Sequence, residues 1–128
     1  MVAGTLPKGE WTHAAHFAAA LWLLRHDPGR AAPEAMRGLI SAYNEAVGGE
    51  NTDTAGYHHT ITVASLRAAT AHLAAAGPDV PLHAVLEGVM ASPLGRSDWP
   101  LGYWSRAVLF SVAARREWVD PDLAPLPF

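Results

Sequence analysis

The chain has 128 residues, a formal net charge of −3 and no cysteine, and 50% of it is hydrophobic. This length fits one ordinary domain, and the apolar content excludes an intrinsically disordered protein. Nucleic acid is not expected as a partner because Lys and Arg form no basic stripe. The longest apolar stretch, 14–24, has about half the length of a membrane span. We therefore expect a cytoplasmic protein without disulfides or thiolate metal sites.

Helix formers separated by Gly and Pro predict an all-α fold, a single compact bundle of about five helices. Pro33 suits the first turn of the second helix, and Gly48-Gly49 ends it. The last helix should bury one face through Trp104, Val108 and Val112. The expected helices cover about residues 10–25, 33–47, 56–76, 81–90 and 103–118.

The remaining segments are predicted to lack regular structure. Residues 92–102, rich in Pro, Gly and Ser, are typical of a loop. The tail, 120–128, holds three prolines and should be extended. Its Leu123, Leu126 and Phe128 indicate that it packs back on the helices.

Three of the seven histidines are predicted to face inward. A helix turns by about 100° per residue, which places Phe17 near 40° from His13. His16 lies one turn after His13, so both imidazoles can reach one point. His58 shares the apolar stripe of the third helix, whereas His59 is turned by about 100° to a flank. Side chains on facing helices of a bundle often build a metal site.

His13, His16 and His58 are therefore candidate ligands for one divalent metal ion. Neutral imidazole binds zinc, iron or copper, and three imidazoles leave a coordination position open for catalysis. Two other interpretations stay open: a polar pocket without metal, and histidines that merely stabilise the core through hydrogen bonds.

Glu10 lies near His13 on the helical wheel. It is a candidate metal ligand or general base, and equally an ordinary first-turn residue. Arg106 and Arg115 interrupt the apolar last helix. An anionic substrate would need such a group, although a salt bridge to Asp98 or Glu117 is the commoner outcome.

The histidine segments resemble a pattern in short bacterial all-helical proteins of unassigned function. The resemblance covers about half of the chain and implies that His13, His16 and His58 belong together. In that pattern, Glu is typical at the position directly after the one that matches His58, and this chain has His59 there. The matching segments are Trp11-Thr12-His13-Ala14-Ala15-His16, Tyr43-Asn44 to Gly48, Asn51-Thr52, and Gly56-Tyr57-His58 to Thr62.

The leading hypothesis is a small metal-dependent enzyme, a lyase, hydrolase or oxygenase, acting on a small-molecule substrate. Its candidate catalytic residues are Glu10, Tyr57 and His59. The alternative is a non-catalytic module that binds a metal or small ligand, or an interaction protein. The oligomeric state stays open, with a homodimer as one option.

Overall fold

Helices make up all the regular structure in the part of the chain that this computed structural model describes, residues 13–46, 48–52 and 56–128. The all-α bundle predicted from the sequence is confirmed. Within those ranges, no helix has the length and apolar character needed to cross a membrane. The α-helices are α1 (His13–His26), α2 (Pro33–Ala46), α3 (His59–Ala76), α4 (Leu82–Ala91), α5 (Arg106–Leu109) and α6 (Val112–Arg116).

Helix α3 is the centre of the bundle and packs against α1, α2, α4 and α6. Its Ala64, Ala68 and Ala69 are completely buried. Because each of these side chains is a single methyl group, the backbones of neighbouring helices can approach α3 closely. Leu21 of α1 and Trp104 are also completely buried. The apolar core therefore surrounds α3 and leaves its N-terminal end for polar contacts.

The predicted last helix, 103–118, is wrong in extent, since two short helices replace it. The Ser105 hydroxyl accepts a hydrogen bond from the Val108 amide, and Ser111 caps α6 in the same way. A serine side chain that bonds a nearby amide competes with continuous helix. The prediction that Val112 lies on a buried face is wrong, because its side chain is 43% exposed. Residues 92–102 also differ from a plain loop, because they contain 3₁₀ turns at Pro93–Gly95 and Trp99–Gly102.

The C-terminal segment packs back on the helices as predicted. Leu126 and Phe128 contact the core, and the Phe128 ring lies 6.0 Å from that of Trp99. The prediction is wrong for Leu123, whose side chain is 59% exposed. Its backbone amide instead donates a hydrogen bond to the Tyr103 carbonyl at 2.9 Å. Backbone hydrogen bonding therefore holds this part of the tail where apolar burial does not.

Candidate functional site

The Asn51 side chain joins α2 to Tyr57, which lies just before α3. Its Oδ1 accepts hydrogen bonds from Asn44 Nδ2 and from the Tyr57 amide, both at 3.0 Å. Its Nδ2 donates to the Ser41 carbonyl at 2.9 Å. One amide group therefore ties Tyr57 to the last turns of α2.

Gly56 allows the chain to pass close to Asn51. Its φ is +84°, a conformation that favours glycine. A Cβ at this position would lie 2.1 Å from the Glu50 carbonyl oxygen and 2.7 Å from Asn51 Oδ1. The turn before Tyr57 therefore requires glycine for both its backbone angle and its space.

His58 is the N-cap of α3, and both of its ring nitrogens bond within the protein. Nδ1 accepts a hydrogen bond from the Ile61 amide, so the proton resides on Nε2, which donates to the Leu109 carbonyl at 2.6 Å. Burial lowers the pKa of His58 below 6.5, and the charge of Arg115 adds to this shift, while the bond to Leu109 opposes it. A neutral ring with both nitrogens engaged has no lone pair left for a metal ion.

His13 and His16 lie together at the start of α1, apart from His58. His13 Nε2 donates to the Leu94 carbonyl at 2.6 Å, and its ring meets Phe17 edge to face. His16 was predicted to face inward, but it is exposed. Desolvation and then the charge of His13 lower the pKa of His16 from 6.5 to about 4.

The three predicted ligands do not converge in the described residues. No group of three or more His, Asp or Glu side chains there is placed to hold a metal ion. The charge of His13 shifts the pKa of His16, whereas the charges of Arg115 and His59 shift the pKa of His58. The two histidines therefore have different charged neighbours. Glu10 lies outside the described residues.

Tyr57 and His59 form a buried hydrogen-bonded pair at the N-terminal end of α3. The Tyr57 hydroxyl lies 2.7 Å from His59 Nδ1, and each residue is 6% exposed. The predicted flanking position of His59 is therefore wrong. The helical wheel counted from His58, which is a cap outside the helix, so its angle did not apply. The structure thus brings together two of the three candidate catalytic residues.

Charged side chains lie next to Tyr57. The Arg37 guanidinium lies 5.2 Å from the centroid of the Tyr57 ring and forms ion pairs with Glu34 at 3.1 Å and Glu117 at 3.7 Å. Arg115 Nη1 donates to the Gly56 and Tyr57 carbonyls at 3.0 and 3.3 Å. The salt bridge expected from Arg115 to Glu117 is absent from the described contacts, because Glu117 pairs with Arg37.

Burial shifts both members of the pair toward their neutral forms. Desolvation raises the pKa of Tyr57, while the positive charge of Arg37 opposes the rise. Desolvation lowers the pKa of His59, and the positive charge of Arg37 lowers it further. At neutral pH the pair therefore consists of a protonated phenol and an uncharged imidazole. Such a pair can exchange protons with a bound molecule.

Sequence reasoning did not identify Arg37 as part of this site. The available signal was Glu34, three positions earlier on one helix face, but that spacing is common on exposed helices. Two surface grooves of about 420 and 410 Å³ lie elsewhere. One is bounded by Trp118 and the C-terminal tail, the other by Trp99 and Tyr103, and neither contains Tyr57 or His59.

Comparison with protein-family models, curated proteins and solved structures gives no match for this chain. The resemblance of the histidine segments to short bacterial proteins therefore stays a prediction.

Proposed function

We propose that this protein binds a small molecule beside Tyr57 and His59 and acts on it through acid–base chemistry, with His59 as the base. The observation that carries this proposal is the buried hydrogen bond of 2.7 Å between the Tyr57 hydroxyl and His59 Nδ1. A base held by a second polar group is the usual arrangement in catalytic sites. A Tyr–His bond that only stabilises the fold is the competing interpretation, and it predicts no ligand binding at these two side chains.

The neighbouring donors favour one tautomer of His59. The Thr62 hydroxyl donates its proton to the His58 carbonyl at 2.8 Å, so toward Tyr57 it acts as an acceptor. In the hydrogen bond between these two side chains, Tyr57 is then the donor and Thr62 the acceptor, so Tyr57 accepts a proton from His59 Nδ1. This order leaves the lone pair of His59 on Nε2, which is the nitrogen that would take a proton from a ligand.

His59 is largely buried, at 6% exposed, and Nε2 is the ring atom that a ligand would approach. This nitrogen has no hydrogen-bond partner among the described residues. The polar side-chain atoms there that are both completely covered and unpartnered do not include it. It therefore keeps contact with solvent. Because its pKa lies below 6.5, the imidazole is ready to accept a proton at neutral pH. Tyr57 holds the ring in one tautomer and orientation while the proton moves.

Nuclear magnetic resonance tests this proposal. In ¹⁵N-labelled protein, we expect the shift of an unprotonated nitrogen at His59 Nε2 and of a protonated one at Nδ1. In a screen of small organic fragments, we expect saturable shifts clustered at Tyr57 and His59. Variants His59→Gln and Tyr57→Phe should abolish them, while the exposed-residue control His83→Gln should not. Fragments that bind only at the groove beside Trp118, or equally well to His59→Gln, would overturn the proposal.

A second candidate function is metal binding at His13 and His16. The hydrogen bond from His13 Nε2 to the Leu94 carbonyl supports it, because a metal-bound histidine almost always donates its other ring nitrogen to an oxygen. The lowered pKa of His16 favours the neutral form that metals require. Zinc, iron or copper would suit such nitrogen ligands, and the remaining ligands would come from solvent or from outside the described residues.

Elemental analysis of protein purified without a histidine tag tests the metal site. We expect stoichiometric metal in the parent chain, a loss in His13→Ala and His16→Ala, and retention in His58→Gln. Circular dichroism checks that each variant is folded. The metal proposal fails if the parent chain carries no stoichiometric metal, or if His83→Ala loses it as well.

A further inference from the structure

Arg115 carries a charge that no described side chain compensates. Its Nη1 is used on two backbone carbonyls, those of Gly56 and Tyr57. No described carboxylate lies within ion-pair distance of it. Its Nε is the one fully covered side-chain nitrogen or oxygen in the described residues without a hydrogen-bond partner. A partly buried cation without a counter-charge is unfavourable, so this position favours an added anion.

Arg37 presents a second cation to the same Tyr57. Its own ion-pair partners, Glu34 and Glu117, have side chains that are 75% and 77% exposed, whereas that of Arg37 is 30% exposed. Exposed ion pairs contribute little free energy because water screens them. A ligand can therefore replace these two carboxylates at small cost, while Arg37 Nη2 keeps its hydrogen bond to the Arg116 carbonyl at 2.9 Å.

We infer that the ligand of this site is a small carboxylate-bearing anion, bound by the Arg115 and Arg37 guanidinium groups beside the Tyr57–His59 pair. The inference rests on the proposed function and adds the ligand class to it. A carboxylate matches a guanidinium in shape and charge and forms two parallel hydrogen bonds with it. The Tyr57–His59 pair is neutral, so it neither repels nor replaces that anion.

A comparison of benzoate with benzamide tests the charge directly, since the two probes share their ring and size. We expect benzoate to shift the Arg115 Nε–H and His59 ring signals saturably and benzamide to leave them unchanged. Arg115→Met and Arg37→Met should each weaken benzoate binding by at least about tenfold, the scale of a charge-assisted hydrogen bond. Arg106→Met, at an exposed arginine of α5, is the matched control and should bind benzoate normally.

Bound benzoate should also raise the pKa of His59, because a nearby negative charge favours the imidazolium form. This pKa is measured in the parent protein, so it tests the inference even if Arg115→Met does not fold. Equal binding of benzoate and benzamide at His59 would show that the ligand need not be an anion. It would overturn this inference and leave the proposed function unaffected. Absence of benzoate binding, or an unchanged His59 pKa in saturating benzoate, would also overturn the inference. The fragment screen decides the proposed function independently.

Discussion

Replacement of Gly56 by alanine tests the turn that delivers Tyr57 to the site. An L-residue in the left-handed region costs about 1–2 kcal/mol. The new Cβ would lie 2.1 Å from the Glu50 carbonyl oxygen, far inside the ordinary contact distance of 3.4 Å, so the backbone must move. That movement breaks hydrogen bonds of Asn51, each worth about 0.5–1.5 kcal/mol. We expect a total loss of about 2–5 kcal/mol in the free energy of unfolding.

Urea denaturation followed by circular dichroism measures this loss. Gly48→Ala is the matched control, because Gly48 has nearly the same φ, +85°, with no atom within 4 Å of its ideal Cβ. Gly48→Ala should lower the free energy of unfolding only by the cost of the left-handed backbone, about 1–2 kcal/mol. The reasoning is refuted if the two variants are equally destabilised, or if Gly56→Ala leaves the Tyr57 and His59 signals unchanged.

Three further predictions concern acid stability and the C-terminal half. Burial holds the pKa of His58 below 6.5 in the folded protein. As the pH falls, His58 is therefore protonated in the unfolded chain at a higher pH than in the folded one. Stability should therefore fall as pH drops through 6.5 and level off below the folded pKa. His16 and His59, whose pKa values are also lowered, contribute to this loss, so His58→Gln should reduce it in acid titrations without abolishing it, and His83→Gln should leave it unchanged. Thr60→Val removes a buried hydroxyl that bonds the Glu117 carbonyl and the Val119 amide, which should cost about 1–3 kcal/mol in urea; no loss would contradict this. Trp104→Phe removes the bond from Nε1 to the Val119 carbonyl and should lower the melting temperature more than Trp22→Phe at an exposed site.

The bounds of α2 were predictable from sequence because local residues fix them. Pro33 begins the helix with a φ that suits its first turn, and Gly48 supplies the positive φ that follows its end. The last helix was not predictable as two pieces. Its apolar periodicity runs through Ser105 and Ser111, and only the structure shows that their hydroxyls cap new helices.

The site was predictable in part. Tyr57 and His59 were identified as candidates, yet their hydrogen bond depends on where α3 begins. The 100° angle between His58 and His59 assumes that both residues are helical, whereas His58 is an extended cap. Arg37 and Arg115 approach Tyr57 from other helices. Contacts across such separations depend on tertiary packing, which periodicity within one helix does not encode.

The brevity of α5 and α6 ties the candidate site to local unfolding. Helices of four and five residues are far too short to persist alone, so their contacts with the body hold them. Two of those contacts reach the site: the Leu109 carbonyl accepts from His58, and Arg115 donates to the Tyr57 carbonyl. Opening of this segment would release both bonds at once. Amide hydrogen exchange at α5, α6 and the start of α3 should therefore report one shared opening event.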